Sequence, residues 1–348
     1  MSDPIRIGIV GAGDNTKTMH IPKFQAIDNV EIVAVCNRSM ESGQAVADEF
    51  NIPNVYENWT QIVDDHDIDA VMIGTWPYMH HMITIEALLH NKHVLCEARM
   101  AMNLHEAREM YDASRGCPHL VAQVVPSPFT FAFDETIKEL IADGYIGDML
   151  TIDLRGSNAS FIDSDAPFSW RLDKDLSGNN IMMMGIWYEA MTRWTGHCEA
   201  LYASSRNFVR TRKDPNSGLV RPVAIPDHLD IIADFQNGAQ ARMQFSAVQG
   251  HAQESPEIYL FGTEGTLLLQ QGSNRLLGAK KGDGELKEIA IAEDKQGTWR
   301  VEEEFIGAIR GEEEIRLTSF AEGVKYMEFT EAVNISMANG QRVSLPIQ

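Results

Sequence analysis

Along the first third of the chain, unbroken apolar runs alternate with stretches of helical spacing. Residues 5–10, 30–36, 69–74, 93–96 and 119–125 are short runs rich in Val, Ile, Leu and Ala, and each stops at small or polar residues. Between them, 42–50, 59–64, 81–91 and 104–114 carry apolar residues three and four apart, as with Ile83, Ala87 and Leu88. Short apolar strands separated by helices predict parallel β-α-β units, with ligands at the carboxyl ends of the strands. Beyond residue 131 the pattern changes. A helix over 131–143 ends at Gly144, and strands follow at 149–157, 201–209, 229–235, 239–247, 258–261 and 266–270. Asn237-Gly238 and Thr263-Glu264-Gly265 are hairpin turns between them, which predicts an antiparallel sheet. A helix over 181–195 is inserted among these strands, an amphipathic helix over 320–338 closes the chain, and 213–221 reads as a mobile loop. The expected class is α/β. Parallel β-α-β units occupy 1–125, and an α+β domain with an antiparallel sheet occupies 126–348.

The first strand stops at Gly11-Ala12-Gly13, and Asp14 and Asn15 lead into a helix. Glycines let the backbone approach a pyrophosphate, while the helix N-terminus supplies free N–H groups and a favourable dipole; this is the Rossmann arrangement. The third position of the Gly-x-Gly-x-x-Gly pattern is Thr16, and the same turn can also form with nothing bound. The second strand ends at Asn37-Arg38-Ser39. An NAD site carries an acid there to hold the ribose 2′-OH. In its place stand two hydrogen-bonding side chains and a guanidinium fork suited to a 2′-phosphate, which points to NADP over NAD. The other strand ends carry Thr75 and Trp76, Glu97, and Gln123.

Composition narrows the partners. A length of 348 residues with 44% hydrophobic content fits two globular domains. The formal net charge of −21, from 29 basic and 50 acidic residues, argues against nucleic acid or an anionic membrane as partner. The acidic runs at 302–304 and 312–314 read as solvated faces. Residues 1–4 run straight into the first strand without a basic and apolar leader, and no stretch approaches the ~20 apolar residues that span a bilayer. Four cysteines without Cys-x-x-Cys pairing fit a reducing cytoplasm, and no His or Cys spacing predicts a metal site.

The motifs Gly8-Ile-Val-Gly-Ala-Gly13, His20-Ile-Pro22, Thr75 with His80, Lys92-His-Val-Leu-Cys-Glu97, Ala122-Gln123, Trp170-Arg171, Phe261-Gly-Thr-Glu-Gly265, and the last helix with Glu331-Ala332 and Ser336 resemble the Gfo/Idh/MocA oxidoreductases over nearly the whole chain. The resemblance implies a Rossmann domain with a doubly wound parallel sheet over 1–125, followed over 126–348 by an α+β domain whose large, open, mostly antiparallel sheet builds a homodimer or homotetramer interface, with a small-molecule substrate beside the nicotinamide. Cofactor-binding positions are then Gly11, Gly13, Asp14, Asn15, Asn37, Arg38, Ser39, Thr75, Trp76, His80, Glu97 and Gln123. His80 either reaches the nicotinamide ribose or packs at the strand end, and Trp76 either flanks the nicotinamide or fills core.

The chain departs from the family at its chemistry. The usual Glu-Lys-Pro reads Glu97-Ala98-Arg99, and the usual Asp-x-Gly-x-His reads Met183-Met184-Gly185-Ile186-Trp187. Ala98 has no proton to exchange, and Arg99 polarises an oxygen without acting as a base. Tyr188, beside a cation, is the candidate acid/base, and the alternative for it is a packed aromatic. Arg171 and Trp187 are candidate substrate contacts, and Glu189 reads as a surface charge. The leading expectation is an NADP-preferring oxidoreductase of an alcohol or carbonyl such as a sugar derivative. Two alternatives are a catalytically silent nucleotide- or sugar-binding protein, and a lyase or hydrolase with a tightly held cofactor.

Overall fold

The computed structural model describes residues 4–252 and 255–347; residues 1–3, read above as the approach to the first strand, lie outside them. Strands β1 (Ile5–Val10), β2 (Val30–Cys36), β3 (Asn54–Tyr56), β4 (Ala70–Ile73), β5 (His93–Cys96) and β6 (Ala122–Val124) form a parallel sheet in the order β3-β2-β1-β4-β5-β6. The order reverses at β1, which has β2 on one side and β4 on the other, so the crevice at its carboxyl end is the ligand position of a doubly wound sheet. Ile7, Ile9, Val71, Met72, Val94 and Leu95 are fully buried, as inner strands covered by helices require. β3 is a short polar edge strand that the apolar pattern did not reveal.

The second sheet contains β7 (Met149–Ser157), β8 (Cys198–Arg206), β11 (His228–Phe235), β12 (Gln240–Ser246), β13 (Glu257–Gly262), β14 (Gly265–Gln270), β15 (Arg275–Lys280), β16 (Lys287–Glu288) and β17 (Val343–Ser344). Its order is β16-β15-β14-β13-β7-β12-β11-β8-β17. Every neighbouring pair is antiparallel except β7 and β12, which run parallel. Along β11, Leu229, Ile231, Ala233 and Phe235 face inward, while Asp230 and Ile232 are exposed, so one face is core and the other open. The segment expected to be a mobile loop is instead the turn of a two-stranded ribbon, β9 (Thr211–Lys213) with β10 (Val220–Pro222). Asp214 holds that turn through the Asn216 N–H and the Ser217 hydroxyl.

Contacts divide the chain into two compact units, Met1–Pro126 with Arg300–Met327, and Ser127–Trp299 with Glu328–Gln348. The sequence pattern put 300–327 in the second domain. It packs in the first because the helix Val301–Arg310 sets Phe305 against Phe24, ring centroids 6.4 Å apart, and Ser319 pairs with Gln123 at the sheet edge. The acidic run there is not a solvated face. Glu302 and Glu304 are buried, and Glu304 accepts hydrogen bonds from the Gln123 amide and from the backbone N–H groups of Arg316 and Leu317. The helix Phe320–Asn339 is also less amphipathic than its sequence suggests, since Lys325 is its single exposed residue before the last turn.

Candidate active site

The turn after β1 is built by close backbone packing. Gly11 has φ +85°, and a Cβ there would stand 2.6 Å from the Thr75 methyl and 2.7 Å from its nitrogen. The helical run begins at Asp14, so its first N–H groups open at the turn. Thr16, in the place of the third glycine, is buried and its hydroxyl donates to the Gly11 carbonyl at 3.3 Å. Gly74 makes the room, because a Cβ there would lie 2.2 Å from the Thr16 hydroxyl oxygen. The closeness that a glycine normally supplies on the helix has been moved to the end of β4.

A groove of about 250 Å³ follows, lined by Gly11, Gly13, Arg38, Thr75, Trp76 and Tyr78 among others. The Thr75 hydroxyl is buried without a partner among the described residues. The exposed Arg38 guanidinium lies 5.7 Å from the Trp76 ring centroid, a cation–π contact that makes one wall. Its two neighbours are occupied otherwise. Asn37 accepts from the Ala12 N–H at 2.7 Å and donates to the Ser42 carbonyl, so it ties the glycine turn to β2. Ser39 caps the helix Met40–Phe50 by accepting from the Ser42 N–H. Of the three expected phosphate readers, Asn37 and Arg38 line the groove and Ser39 does not, and Asn37 is held by the glycine turn, which leaves the Arg38 guanidinium as the cation at this strand end.

At the end of β5 the structure assembles a cluster that the sequence pattern did not. His20, fully buried, meets a Glu302 carboxylate oxygen at Nδ1 (2.5 Å) and Glu97 Oε1 at Nε2 (3.1 Å). Asn15 donates to the same Glu97 oxygen, and the other accepts from the Ala98 N–H at 2.9 Å. Burial pulls the His20 pKa down, but hydrogen bonds to the two carboxylates outweigh it and lift it to about 9. His20 is therefore an imidazolium at neutral pH. Burial alone would raise the Glu97 pKa, but its bond to His20 holds it below the usual carboxylate value. Glu302 is legible in retrospect, because a helix puts it on the same face as Ile306, four residues on.

His80 takes the strand-end role and not the ribose. It is fully buried, with Nδ1 2.9 Å from the Arg99 carbonyl and Nε2 2.9 Å from the Thr75 carbonyl. Burial lowers its pKa against the pull of those carbonyls. Arg99 is itself 6% exposed, and the next residue's N–H, on Met100, donates to the Tyr326 hydroxyl. Gln123 also leaves the cofactor set, since it is buried and its amide nitrogen donates to Glu304 and to the Leu317 carbonyl.

The candidates in the second unit are mostly core. The Tyr188 ring stacks on Phe329 at 3.7 Å and its hydroxyl accepts the Cys198 N–H at 3.0 Å, so it is a packed aromatic and not an acid/base. Tyr188→Phe is expected to leave turnover unchanged and to cost about 1–2 kcal/mol of stability, read by urea unfolding, because a buried N–H loses its acceptor. Trp187 is 2% exposed and stacks on Phe129. Arg171 is exposed with its guanidinium 4.4 Å from the Trp170 ring centroid. Glu189 is not a surface charge. It is buried, ion-paired with Arg193 at 2.7 Å, and accepts from the Ser127 N–H.

A glycine turn at the switch point of a doubly wound sheet, with an arginine–tryptophan wall at the adjoining strand ends, defines a dinucleotide-binding domain. The family profile described as "Oxidoreductase family, NAD-binding Rossmann fold" matches residues 5–122, and the one described as "GFO/IDH/MocA C-terminal domain" matches residues 135–268. The chain belongs to the Gfo/Idh/MocA family of oxidoreductases. It is 24% identical over 303 residues to levoglucosan dehydrogenase of Pseudarthrobacter phenanthrenivorans, covering 76% of this chain and 73% of that one. It is 30% identical over 184 residues to 1,5-anhydro-D-fructose reductase of Ensifer adhaerens, covering 51% and 52%. A solved levoglucosan dehydrogenase in complex with NADH and levoglucosan has the same fold, with a TM-score of 0.84 at 22% identity over 99% of this chain and 100% of that one. Among the described residues no helix is long and apolar enough to cross a membrane, and no group of three His, Cys, Asp or Glu side chains is placed to hold a metal ion.

Proposed function

We propose that this chain oxidises or reduces a sugar-derived alcohol or carbonyl, with NADP preferred over NAD. The observation that carries the cofactor preference is the exposed Arg38 guanidinium against Trp76, at a strand end that has no carboxylate. The cradle fits a dinucleotide. A Cβ at Gly11 would press on Thr75 and the Gly74 backbone, and Thr75, whose buried hydroxyl has no partner among the described residues, is one of the groove's lining residues. Gly11, Gly13 and the first N–H groups from Asp14 would hold the pyrophosphate, Arg38 and Trp76 the adenosine end, and Thr75 the opposite half. A bound nicotinamide supplies the hydride acceptor or donor. The names of the relatives, a levoglucosan dehydrogenase and an anhydrofructose reductase, support a cyclic sugar derivative as the substrate class. On this reading Arg99, the only cation of the turn after β5, polarises the substrate oxygen but does not take its proton, since a guanidinium stays charged. A homodimer or homotetramer would cover the open face of the second sheet, where Tyr202 and Ile232 are paired and exposed.

Titration of the purified protein with NADPH, NADP+, NADH and NAD+ tests the preference. Arg38→Ala is expected to weaken NADP(H) binding by about tenfold to a hundredfold, the value of one charge-assisted phosphate contact, and to leave NAD(H) binding where it was. Equal loss for both nucleotides would remove Arg38 as a phosphate reader. Tight binding of NAD(H) alone would overturn the preference and keep the oxidoreductase.

A further inference from the structure

The Glu97–His20–Glu302 cluster has no role in the reading above, yet three parts of the dinucleotide-binding unit meet in it. His20 comes from the helical run after the glycine turn, Glu97 from the end of β5, and Glu302 from the helix Val301–Arg310. Each ring nitrogen of His20 faces a carboxylate oxygen, at 2.5 Å and 3.1 Å, so both must donate. Glu97 is committed at both oxygens, to His20 and Asn15 on one and to the Ala98 N–H on the other. The cluster is a poor proton acceptor for chemistry, because the imidazolium is already charged and the carboxylate is held ionised. Its geometry is that of a brace. At the crevice it fixes Asn15, beside the pyrophosphate turn, and Glu97, which leads into the turn that ends at the buried Arg99. With adenosine at the end of β2, a dinucleotide crossing the switch point lays its other half over the ends of β4 and β5, where these residues stand.

We infer that His20 and Glu302 are positioning residues for the nicotinamide nucleotide, acting through Glu97 and Asn15, and that nucleotide affinity depends on His20 carrying its second proton. The inference rests on the proposed function, since it requires that a nicotinamide nucleotide bind at all. The charged groups facing His20 are Glu97 from the β5 end and Glu302 from the helix packed on it; Lys17, on its own segment, turns to Glu49, and His80, on a neighbouring helix, is bound to the Thr75 and Arg99 carbonyls. When His20 loses that proton, one ring nitrogen turns a lone pair on a carboxylate and the brace opens.

The test is the dissociation constant of NADP+ and NADPH as a function of pH, for the native protein, Glu302→Gln and Glu302→Asp. The native protein is expected to hold its affinity through neutral pH and to lose it as pH rises through about 9, where His20 titrates. In Glu302→Gln the amide oxygen still accepts from Nδ1 but the charge is gone, so the break is expected to move down by about one to three pH units. Glu302→Asp keeps the charge and is expected to hold the break near its native position. The His20 ring nitrogens, followed by NMR in the same samples, are expected to change protonation state at the same pH as the affinity. A profile for Glu302→Gln that superimposes on the native one, or an affinity that does not follow the ring signal, would overturn the inference and leave the cofactor reading intact. Failure of every nicotinamide nucleotide to bind the native protein at any pH would overturn both.

Discussion

Arg193→Leu is expected to cost about 3–5 kcal/mol of folding stability, because it strands two buried carboxylates at once. The guanidinium donates to Asp134 at 2.8 Å, to both oxygens of Glu189 at 2.9 and 2.7 Å, and to the Ser127 carbonyl at 2.8 Å. All three charged side chains are less than a tenth exposed. The network spans the second unit's core, since Asp134 also accepts from the Trp194 indole at 2.7 Å and Glu189 from the Ser127 N–H at 2.9 Å. A leucine fills much of the volume but donates no hydrogen bond, so two buried carboxylates lose the cation that offsets their burial. The stability lost is therefore expected to be larger at neutral than at acid pH. Urea unfolding at both pH values reads this directly. A loss below about 1 kcal/mol, the size of an ordinary surface change, would mean that water reaches the site.

The elements that were legible in the sequence are those whose burial is dictated locally. β1, β2 and β5 have the bounds their apolar patterns predict, as does the helix Trp59–Asp64. Inner strands of a covered sheet must be apolar throughout, and that signal needs no partner to be read. β3 and β9 are short, lie at edges and carry polar residues, so they form only because a neighbour offers hydrogen bonds. The site divides in the same way. The glycine turn and the missing acid after β2 are properties of a few consecutive residues. Asn37, Ser39 and Gln123 are polar residues at the expected places whose bonds go to Ala12, Ser42 and Leu317, and no pattern states where an amide will point. Glu302 and Glu189 read as surface charges because charge is normally solvated. They are buried because a cation reaches each, and for Glu302 that cation lies 282 residues away in the chain.

Gly74→Ala is expected to abolish measurable nucleotide binding, a fall of roughly a hundredfold or more. The added methyl would lie 2.2 Å from the Thr16 hydroxyl oxygen and 2.3 Å from the Gly11 carbonyl oxygen. The hydroxyl is the end of a side chain and can turn, but the carbonyl belongs to the backbone of the pyrophosphate turn. That turn is pinned on both sides, by Gly11 N–H to the Cys36 carbonyl and Gly74 N–H to the Val10 carbonyl, each at 2.8 Å. It yields only by opening the cradle, with an overpacking cost of about 1–3 kcal/mol. Gly13→Ala is the informative partner. Its Cβ would meet only the Gly74 carbonyl oxygen, at 3.9 Å, an ordinary contact. It is expected to unfold at nearly the native urea concentration and still to bind weakly, because the methyl then stands where the phosphates approach. Trp76, which lines the groove, offers a fluorescence signal for both titrations. If Gly74→Ala bound as well as the native protein, the turn would be adaptable and the link between Thr16 and Gly74 would have no functional weight. If Gly13→Ala also bound at native strength, the nucleotide would not lie on this turn at all.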